Sequence, residues 1–265
     1  MKVWRSGPWR LAGEGALFEA ARPWLEPLVR AAAADRGPRA LGPTASYFKG
    51  SPLRARPALR HALRRTAFLL PPRLQEYSNL DWLREQGFLA PRPLLAGVLW
   101  RHALPRYQFL CTEFVDHAPT LEEYLSRPAP LQQRARLLGA LARDVARLHA
   151  QGFVHRDLFA RNLLACELDS APRCAILDAW RGGPRRGWRG PEHDLGCFFF
   201  DGATLLSSPE QAHFLTTYRT ECSALGAPPS QRWSQEVERA RAAVHRREAR
   251  RRPGRAETSR FPRLA

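Results

Sequence analysis

His155-Arg156-Asp157-Leu158-Phe159-Ala160-Arg161-Asn162 is the stretch that decides the fold of this 265-residue chain. A phosphoryl-transfer loop needs a carboxylate beside the attacking hydroxyl and, a few residues on, a neutral oxygen ligand for a metal ion. Asp157 supplies the first and Asn162 the second, at the spacing H-R-D-L-x-x-x-N that such loops use. A second aspartate, Asp178, follows the apolar run Cys174-Ala175-Ile176-Leu177, which predicts a short buried strand ending in a metal-binding carboxylate. H-x-D alone is a weak signal. The octet followed by an apolar strand and Asp is a strong one.

Working outward, Leu137, Leu138, Leu141, Val145 and Leu148 recur at helical spacing and predict a helix over 131–151. Gly152 stops it and delivers the chain to Val154-His155. Pro172-Arg173 predicts a hairpin between Asn162 and Asp178, 194–218 read as apolar and helical, and 236–252 as a charged helix. Upstream, residues 73–87 predict an amphipathic helix closed by Gly87. Leu94–Leu99 and Tyr107–Val115 read as strands, and Asp116–Pro119 as a linker. The 42 basic residues include only two lysines, Lys2 and Lys49. Where Arg is used almost everywhere, an internal Lys in the strand-like Ala45–Gly50 suggests a compact charge for nucleotide phosphates. The competing reading is a chance surface lysine. Glu76 is the candidate to hold Lys49; Glu85, nearer the helix end, is the competitor. Glu113 to Asp116 would form a hinge whose backbone, at Glu113 and Val115, meets the adenine.

The formal charge of +17 and a pI near 11.1 imply a polyanionic neighbour: nucleic acid, anionic lipid or a phosphorylated glycan. Arg54, Arg56, Arg60, Arg64 and Arg65 read equally as a solvated face or an anionic-surface contact. The length suffices for one domain or two small lobes with a core. No apolar run reaches 18 residues, so no membrane-spanning helix is expected. Met1-Lys2-Val3-Trp4-Arg5 lacks the apolar centre of a signal peptide, and a cytoplasmic protein is expected. Five cysteines without a C-x-x-C pair predict free buried thiols. Residues 1–43 are Gly/Pro-rich with one helix expected over Leu17–Ala34. No G-x-G-x-x-G precedes Lys49. Either Gly37-Pro38-Arg39-Ala40-Leu41-Gly42 replaces the phosphate-covering turn, or the first strands are missing.

With these pieces aligned, the chain resembles the lipopolysaccharide kinase (Kdo/WaaP, InaA-type) family over roughly residues 44–220. The resemblance rests on Tyr47-Phe48-Lys49, Glu76-Tyr77-Ser78-Asn79-Leu80 with Leu83 to Pro93, His155 to Asn162, Ile176-Leu177-Asp178, Asp194-Leu195-Gly196 and Phe214 to Tyr218. It implies an α+β, protein-kinase-like two-lobed fold, with a small β-rich N-lobe carrying one main helix and a reduced helical C-lobe. The expected divisions are an atypical N-terminal segment (1–43), N-lobe (44–116), C-lobe (117–252) and a basic disordered tail (253–265). It implies ATP-dependent phosphorylation of a sugar hydroxyl, heptose or Kdo, of the lipopolysaccharide inner core. Asp157 would orient or deprotonate that hydroxyl, Asn162 and Asp178 would hold Mg²⁺, and Lys49, fixed by Glu76, would contact the α/β-phosphates. Arg161 would place the phosphoryl group or make an ordinary loop salt bridge. His155 and Arg156 would pack the loop, and Asp194 would anchor it. Asp178-Ala179-Trp180 departs from the D-F-G of protein kinases.

The rivals are a tyrosine-type protein kinase, a small-molecule phosphotransferase, and a non-catalytic pseudokinase scaffold on an anionic partner. The 15 residues between Asp178 and Asp194 contain no Ser, Thr or Tyr and no A-P-E, so no phosphorylated activation loop operates there. They carry Arg181, Arg185, Arg186 and Arg189 with Trp180 and Trp188. Guanidinium forks suit anionic groups and indole faces suit sugar rings, so this segment is the expected substrate contact; the alternative is a solvated loop. Small-molecule phosphotransferases usually take cationic substrates with acidic residues, and this segment is dominated by arginine. A scaffold has no need of Lys49, Glu76, Asp157, Asn162 and Asp178 together. The basic helix Arg239–Arg252 fits peripheral contact with anionic lipid on the inner face of the inner membrane, where a lipid-linked core oligosaccharide would be met. Nucleic acid is not the expected partner.

Overall fold

The computed structural model describes residues 2–53, 70–116, 118–186 and 189–251. The run Arg54–Arg65, Trp188 and the tail 253–265 lie outside them. The chain divides into two compact units, Met1–Asp116 with Asp178–Arg181, and His117–Leu177 with Gly182–Ala265.

The first unit is built on a six-stranded antiparallel sheet of β1 (Val3–Ser6), β2 (Trp9–Gly13), β3 (Asp35–Leu41), β4 (Thr44–Pro52), β5 (Pro93–Arg101) and β6 (Leu104–Glu113), in the order β1-β2-β5-β6-β4-β3. Among the described residues two helices accompany it, α1 (Gly15–Arg30) and α2 (Pro72–Glu85). Side chains alternate across a strand. One face therefore gathers Leu11, Phe48, Leu95, Leu99, Phe109 and Cys111 with Phe18, Ala21 and Leu25 of α1 into a dry core. Trp24 meets Phe48 edge-on at 4.8 Å, and Trp9 meets Phe109 at 5.5 Å. On α2, Leu74, Leu80 and Leu83 are buried, and Gly87 turns out of the helix at φ +78°. A side chain needs φ below zero there, which is why glycine closes this helix.

Residues 3–41 thus place in this unit the helix expected over Leu17–Ala34, found at Gly15–Arg30, and three strands that the Gly/Pro-rich sequence did not reveal. The stretch Gly37–Leu41 lies in strand β3, and Gly42 (φ +63°) turns it directly into β4. It does not form a phosphate-covering turn of its own. β3 is the edge strand beside β4, and what precedes it is α1 rather than a further strand. The β1–β2 hairpin, turned at Gly7, sits at the other edge; β2 is three strand spacings from β4, about 14 Å. It is too far away to cover a group held by Lys49.

The second unit contains α3 (Leu121–Leu125), α4 (Leu131–Ala150), the hairpin β7 (Leu163–Cys166) and β8 (Arg173–Ile176), α5 (Pro191–Leu205), α6 (Ser208–Ala224) and α7 (Trp233–Arg251). Every apolar position that predicted α4 is buried: Leu137, Leu138, Leu141, Val145 and Leu148. α7 is no fully solvated charged helix. Val237, Ala240, Arg241 and Val244 are buried on it, and it lies against α5 closely enough that a Cβ on Gly196 would come within 2.8 Å of the Ala240 and Arg241 backbone. Only glycine permits that approach. All five cysteines are free thiols. Among the described residues no helix is long and apolar enough to cross a membrane.

Candidate active site

In the first unit the site begins with strand alternation. Phe48 points into the core under α1, so its neighbour Lys49 points to the opposite face, toward α2. There its ammonium lies 3.2 Å from Glu76 Oε1 and 2.6 Å from Asp178 Oδ1. Glu76 is fully buried; Glu85, two turns and more along the helix, is exposed. Arg73, one turn before Glu76, donates to Glu76 Oε2 and comes within 3.9 Å of Asp178 Oδ1. Two cations and two carboxylates form one closed cluster. Burial by itself would raise the Asp178 carboxyl, but the Lys49 ammonium, helped by Arg73, outweighs it and holds the group at about 2. Burial works the other way on Lys49; the Glu76 and Asp178 charges overcome it and raise the ammonium above its ordinary range. Asp178 sits at φ +53°, a conformation costly for a residue with a Cβ. The short 3₁₀ turn Ala179–Arg181 follows, and Asn79 of α2 donates to the Ala179 carbonyl at 2.5 Å.

In the second unit α5 organises the octet. Asp194, completely buried, accepts from the backbone N–H of His155 and of Arg156, both at 2.6 Å, and from His149 Nε2 at 3.2 Å. Burial opposes its ionisation; the hydrogen bond and charge of His149 and the backbone donors more than compensate and lower its carboxyl. The N–H of Arg156 is offered from a left-handed backbone, φ +62°. Seven residues on, on the same helix face, Asp201 accepts from Ala160 N–H at 3.1 Å and lies 3.8 Å from Arg161. One helix therefore clamps both ends of the loop. His155 Nε2 bonds the Leu177 carbonyl at 2.8 Å, tying the octet to the end of β8. Between the clamps, Asn162 Nδ2 donates to the Asp157 carbonyl at 2.8 Å, which turns Asn162 Oδ1 away from that carbonyl. The Asp157 carboxylate faces α7, with Arg247 Nη2 3.5 Å from Oδ1.

The remaining expected residues are dispersed. Arg161 lies on the Phe159 ring at 3.8 Å in addition to facing Asp201. Arg181 stacks on Trp180 at 4.6 Å in the first unit. Arg185 pairs with Glu192 at 2.8 Å, Arg186 is exposed, and Arg189 lines a cavity on α7. At the expected hinge, Glu113 N–H is taken by Arg92 O at 2.8 Å and Phe114 N–H by Ala45 O at 3.2 Å. Among the described residues no group accepts from Val115 N–H.

Sequence reasoning passed over Arg73, Asp201 and Arg247. Arg73 had a signal, its three-residue spacing from Glu76 on one helix face. Asp201 had a fainter one, two turns from Asp194. Arg247 had none, because its partner lies ninety residues away.

No curated protein matches this chain. Among solved structures, one described as "WaaP in complex with acyl carrier protein" shares the fold, with a TM-score of 0.53 and 20% identity over 87% of this chain and 99% of that one. That likeness makes the fold kinase-like. The family described as "Lipopolysaccharide kinase (Kdo/WaaP) family" matches residues 54–218, which takes in Glu76, the octet, Asp178 and the clamping helix α5. The match spans more than half of the chain and includes the octet with the helix that holds both its ends, and the chain belongs to the lipopolysaccharide kinase (Kdo/WaaP) family.

Proposed function

We propose that the chain transfers the γ-phosphoryl group of ATP to a sugar hydroxyl, of heptose or Kdo, in the lipopolysaccharide inner core. The observation that carries this reading is the cluster around Lys49. A lysine held at 3.2 and 2.6 Å by Glu76 and Asp178 has no purpose in a scaffold, but it is what a nucleotide's phosphates require. The membership of a lipopolysaccharide kinase family supports the acceptor class.

Lys49 binds the α/β-phosphates while Glu76 keeps its ammonium oriented. The Val115 N–H is the hinge donor for the adenine. Asp157 accepts the hydrogen bond of the attacking hydroxyl and takes its proton as the new O–P bond forms. Asp178, ionised down to about pH 2, and Asn162 Oδ1 are hard oxygen donors. Among the described residues no group of three or more His, Cys, Asp or Glu forms a metal site by itself. Asp178 and Asn162 are each a donor of the kind Mg²⁺ takes, which binds one or two carboxylates beside phosphate oxygens and water. When bound, Mg²⁺ would neutralise the phosphate charge that develops in transfer. The protein-kinase alternative is disfavoured by Arg156, whose guanidinium is held by the carbonyls of Gly183 and Pro184 rather than left for a phosphorylated loop residue. The expected peripheral contact with anionic lipid belongs to this same proposal.

The test is transfer of label from γ-labelled ATP with Mg²⁺ to dephosphorylated core lipopolysaccharide, wild type beside Asp157→Ala. Label entering the glycan with wild type and falling at least a thousandfold in the variant, at unchanged thermal stability, is the expected result. Label entering equally with both, or ATP binding without any glycan labelling, overturns it.

A further inference from the structure

A cavity of 390 Å³ lies in the second unit where the first turn of α5 meets α7. Its polar walls are Arg189, His193, Arg246, Arg247 and Arg250, over an apolar floor that includes Val244. Four guanidinium groups around one space repel each other, and Arg246 and Arg250 are neighbours at i,i+4, a spacing that destabilises a helix when the charges are alike. Local carboxylates answer Arg247 but not Arg246 and Arg250. Asp157 and Glu248 both engage Arg247, at 3.5 and 3.0 Å, and among the described residues no acidic group pairs with Arg246 or Arg250. His193 adds no charge, because burial, reinforced by Arg247 and Arg189, pushes its imidazole down to about 4. The space is larger than a bare phosphate needs and falls within the roughly 300–1,000 Å³ of small-molecule sites.

We propose that this cavity binds an anionic sugar, one bearing a phosphate monoester or a carboxylate, and that Arg247 links it to the catalytic loop. The proposal rests on the phosphotransferase reading above and names the acceptor's chemistry: the glycan already carries negative charge next to the hydroxyl that is phosphorylated. Arg247 is the positioning residue. Its guanidinium touches Asp157 on one side and the cavity on the other, so an anion seated there is brought within one side chain of the carboxylate that handles the acceptor hydroxyl.

The test uses the full chain, Arg246→Gln/Arg250→Gln and Arg247→Gln. Both residues of the double variant are exposed, and folding is checked by melting. Calorimetric binding is measured for a hexose 6-phosphate, a hexuronate and the neutral hexose. The expected result is binding of the two anionic sugars, no binding of the neutral one, and at least tenfold weakening in the double variant, with the ATP dissociation constant within twofold of wild type. Arg127→Gln/Arg232→Gln, which removes the same charge from exposed positions outside the cavity, leaves sugar binding unchanged. In transfer assays the double variant raises the acceptor KM tenfold or more with kcat within threefold, whereas Arg247→Gln lowers kcat as well. Displacement of the sugar phosphate by ATP would make this a nucleotide site and overturn the proposal. Loss of binding to anionic phospholipid vesicles without any binding of the sugars would assign the arginines to a lipid surface and overturn it too. Sugar binding that obeys the mutations in a protein that labels no glycan leaves the cavity standing and removes the catalytic reading.

Discussion

Replacing Asp194 with asparagine tests how the loop His155–Asn162 is held. Asp194 is completely buried and receives two backbone N–H groups at 2.6 Å, from His155 and Arg156, and His149 Nε2 at 3.2 Å. Asparagine is nearly isosteric but has one acceptor oxygen. Its amide nitrogen would face one of the two backbone donors. A hydrogen bond to a charged group contributes about 1.5–3 kcal/mol, and a neutral one about 1. One charged bond is lost outright, the other loses its charge, and a buried N–H is left facing a donor, so the loss is roughly 3–5 kcal/mol. For a chain of this size that is a fall in melting temperature of about 10 °C. The left-handed Arg156 (φ +62°) persists because its N–H is held, and without that hold the loop relaxes and moves Asp157. Turnover should fall a hundredfold or more. ATP affinity, which the proposed function assigns to Lys49 and Glu76 in the first unit, should change less than threefold. Asp201→Asn, which weakens one backbone bond at 3.1 Å and removes the charge facing Arg161 at 3.8 Å, should cost about 1–2 kcal/mol by the same arithmetic. Calorimetric melting and nucleotide titration on the three proteins check this. Wild-type turnover in Asp194→Asn, or a melting loss no larger than that of Asp201→Asn, would refute the two-clamp account.

Two further outcomes follow from the buried charges. Glu76→Gln leaves Lys49 with Asp178 alone and Arg73 with only its 3.9 Å approach to Asp178; removing one partner of a buried pair costs about 3–5 kcal/mol, and the remaining Asp178 contact at 2.6 Å reduces this to about 2–3. Denaturant titration should show that loss together with about tenfold weaker ATP binding, and an unaltered ATP affinity would mean that Glu76 does not position Lys49. The acid limb of stability should show two separate windows. The folded imidazole of His193, near 4 against an ordinary 6.5, binds fewer protons than the unfolded one, so its stabilising effect is complete above 6.5 and is lost as pH falls toward 4, about 3 kcal/mol in all. The Asp178 contribution, with its carboxyl at about 2 against 3.8, survives that range and is lost only as pH falls from about 4 toward 2. His193→Gln should flatten the upper window and leave the lower one; an unchanged slope between pH 6.5 and 4 would show that His193 is protonated in the folded state.

What was legible in the sequence was whatever local periodicity or chemistry dictates. The helix over 131–150 could be read because five apolar residues repeat along one face, and its stop because Gly152 takes φ +78°. Lys49 stood out because it is almost alone among arginines, and Glu76 because it opens the next amphipathic helix. The first three strands could not be read. β1 and β3 have mostly exposed side chains and borrow their order from pairing with β2 and β4, so there is little alternation to detect. Their stability comes from strand partners that are distant in sequence, and composition there favoured loops.

The acceptor side of the site was illegible for a stronger reason. The arginines between Asp178 and Asp194 looked like one anion-binding segment because they are adjacent in sequence, but the folded chain sends them to separate duties: Arg181 onto an indole, Arg185 onto Glu192, and only Arg189 into the cavity. The guanidinium beside Asp157 comes instead from a helix whose charge pattern suggested lipid contact. In a chain with so many arginines, charge density along the sequence carries almost no information about where an anion binds. What distinguishes one arginine from another is whether the fold supplies it with a carboxylate. Arg134 has Glu210 at 2.6 Å and Arg185 has Glu192, so their charges are already answered. Arg246 and Arg250 are held beside Arg247 on a helix pinned by the close approach at Gly196, with no acid among the described residues paired to either. Like charges set side by side favour a counter-charge between them, and Arg247, which stands between them on the helix, reaches Asp157 at 3.5 Å.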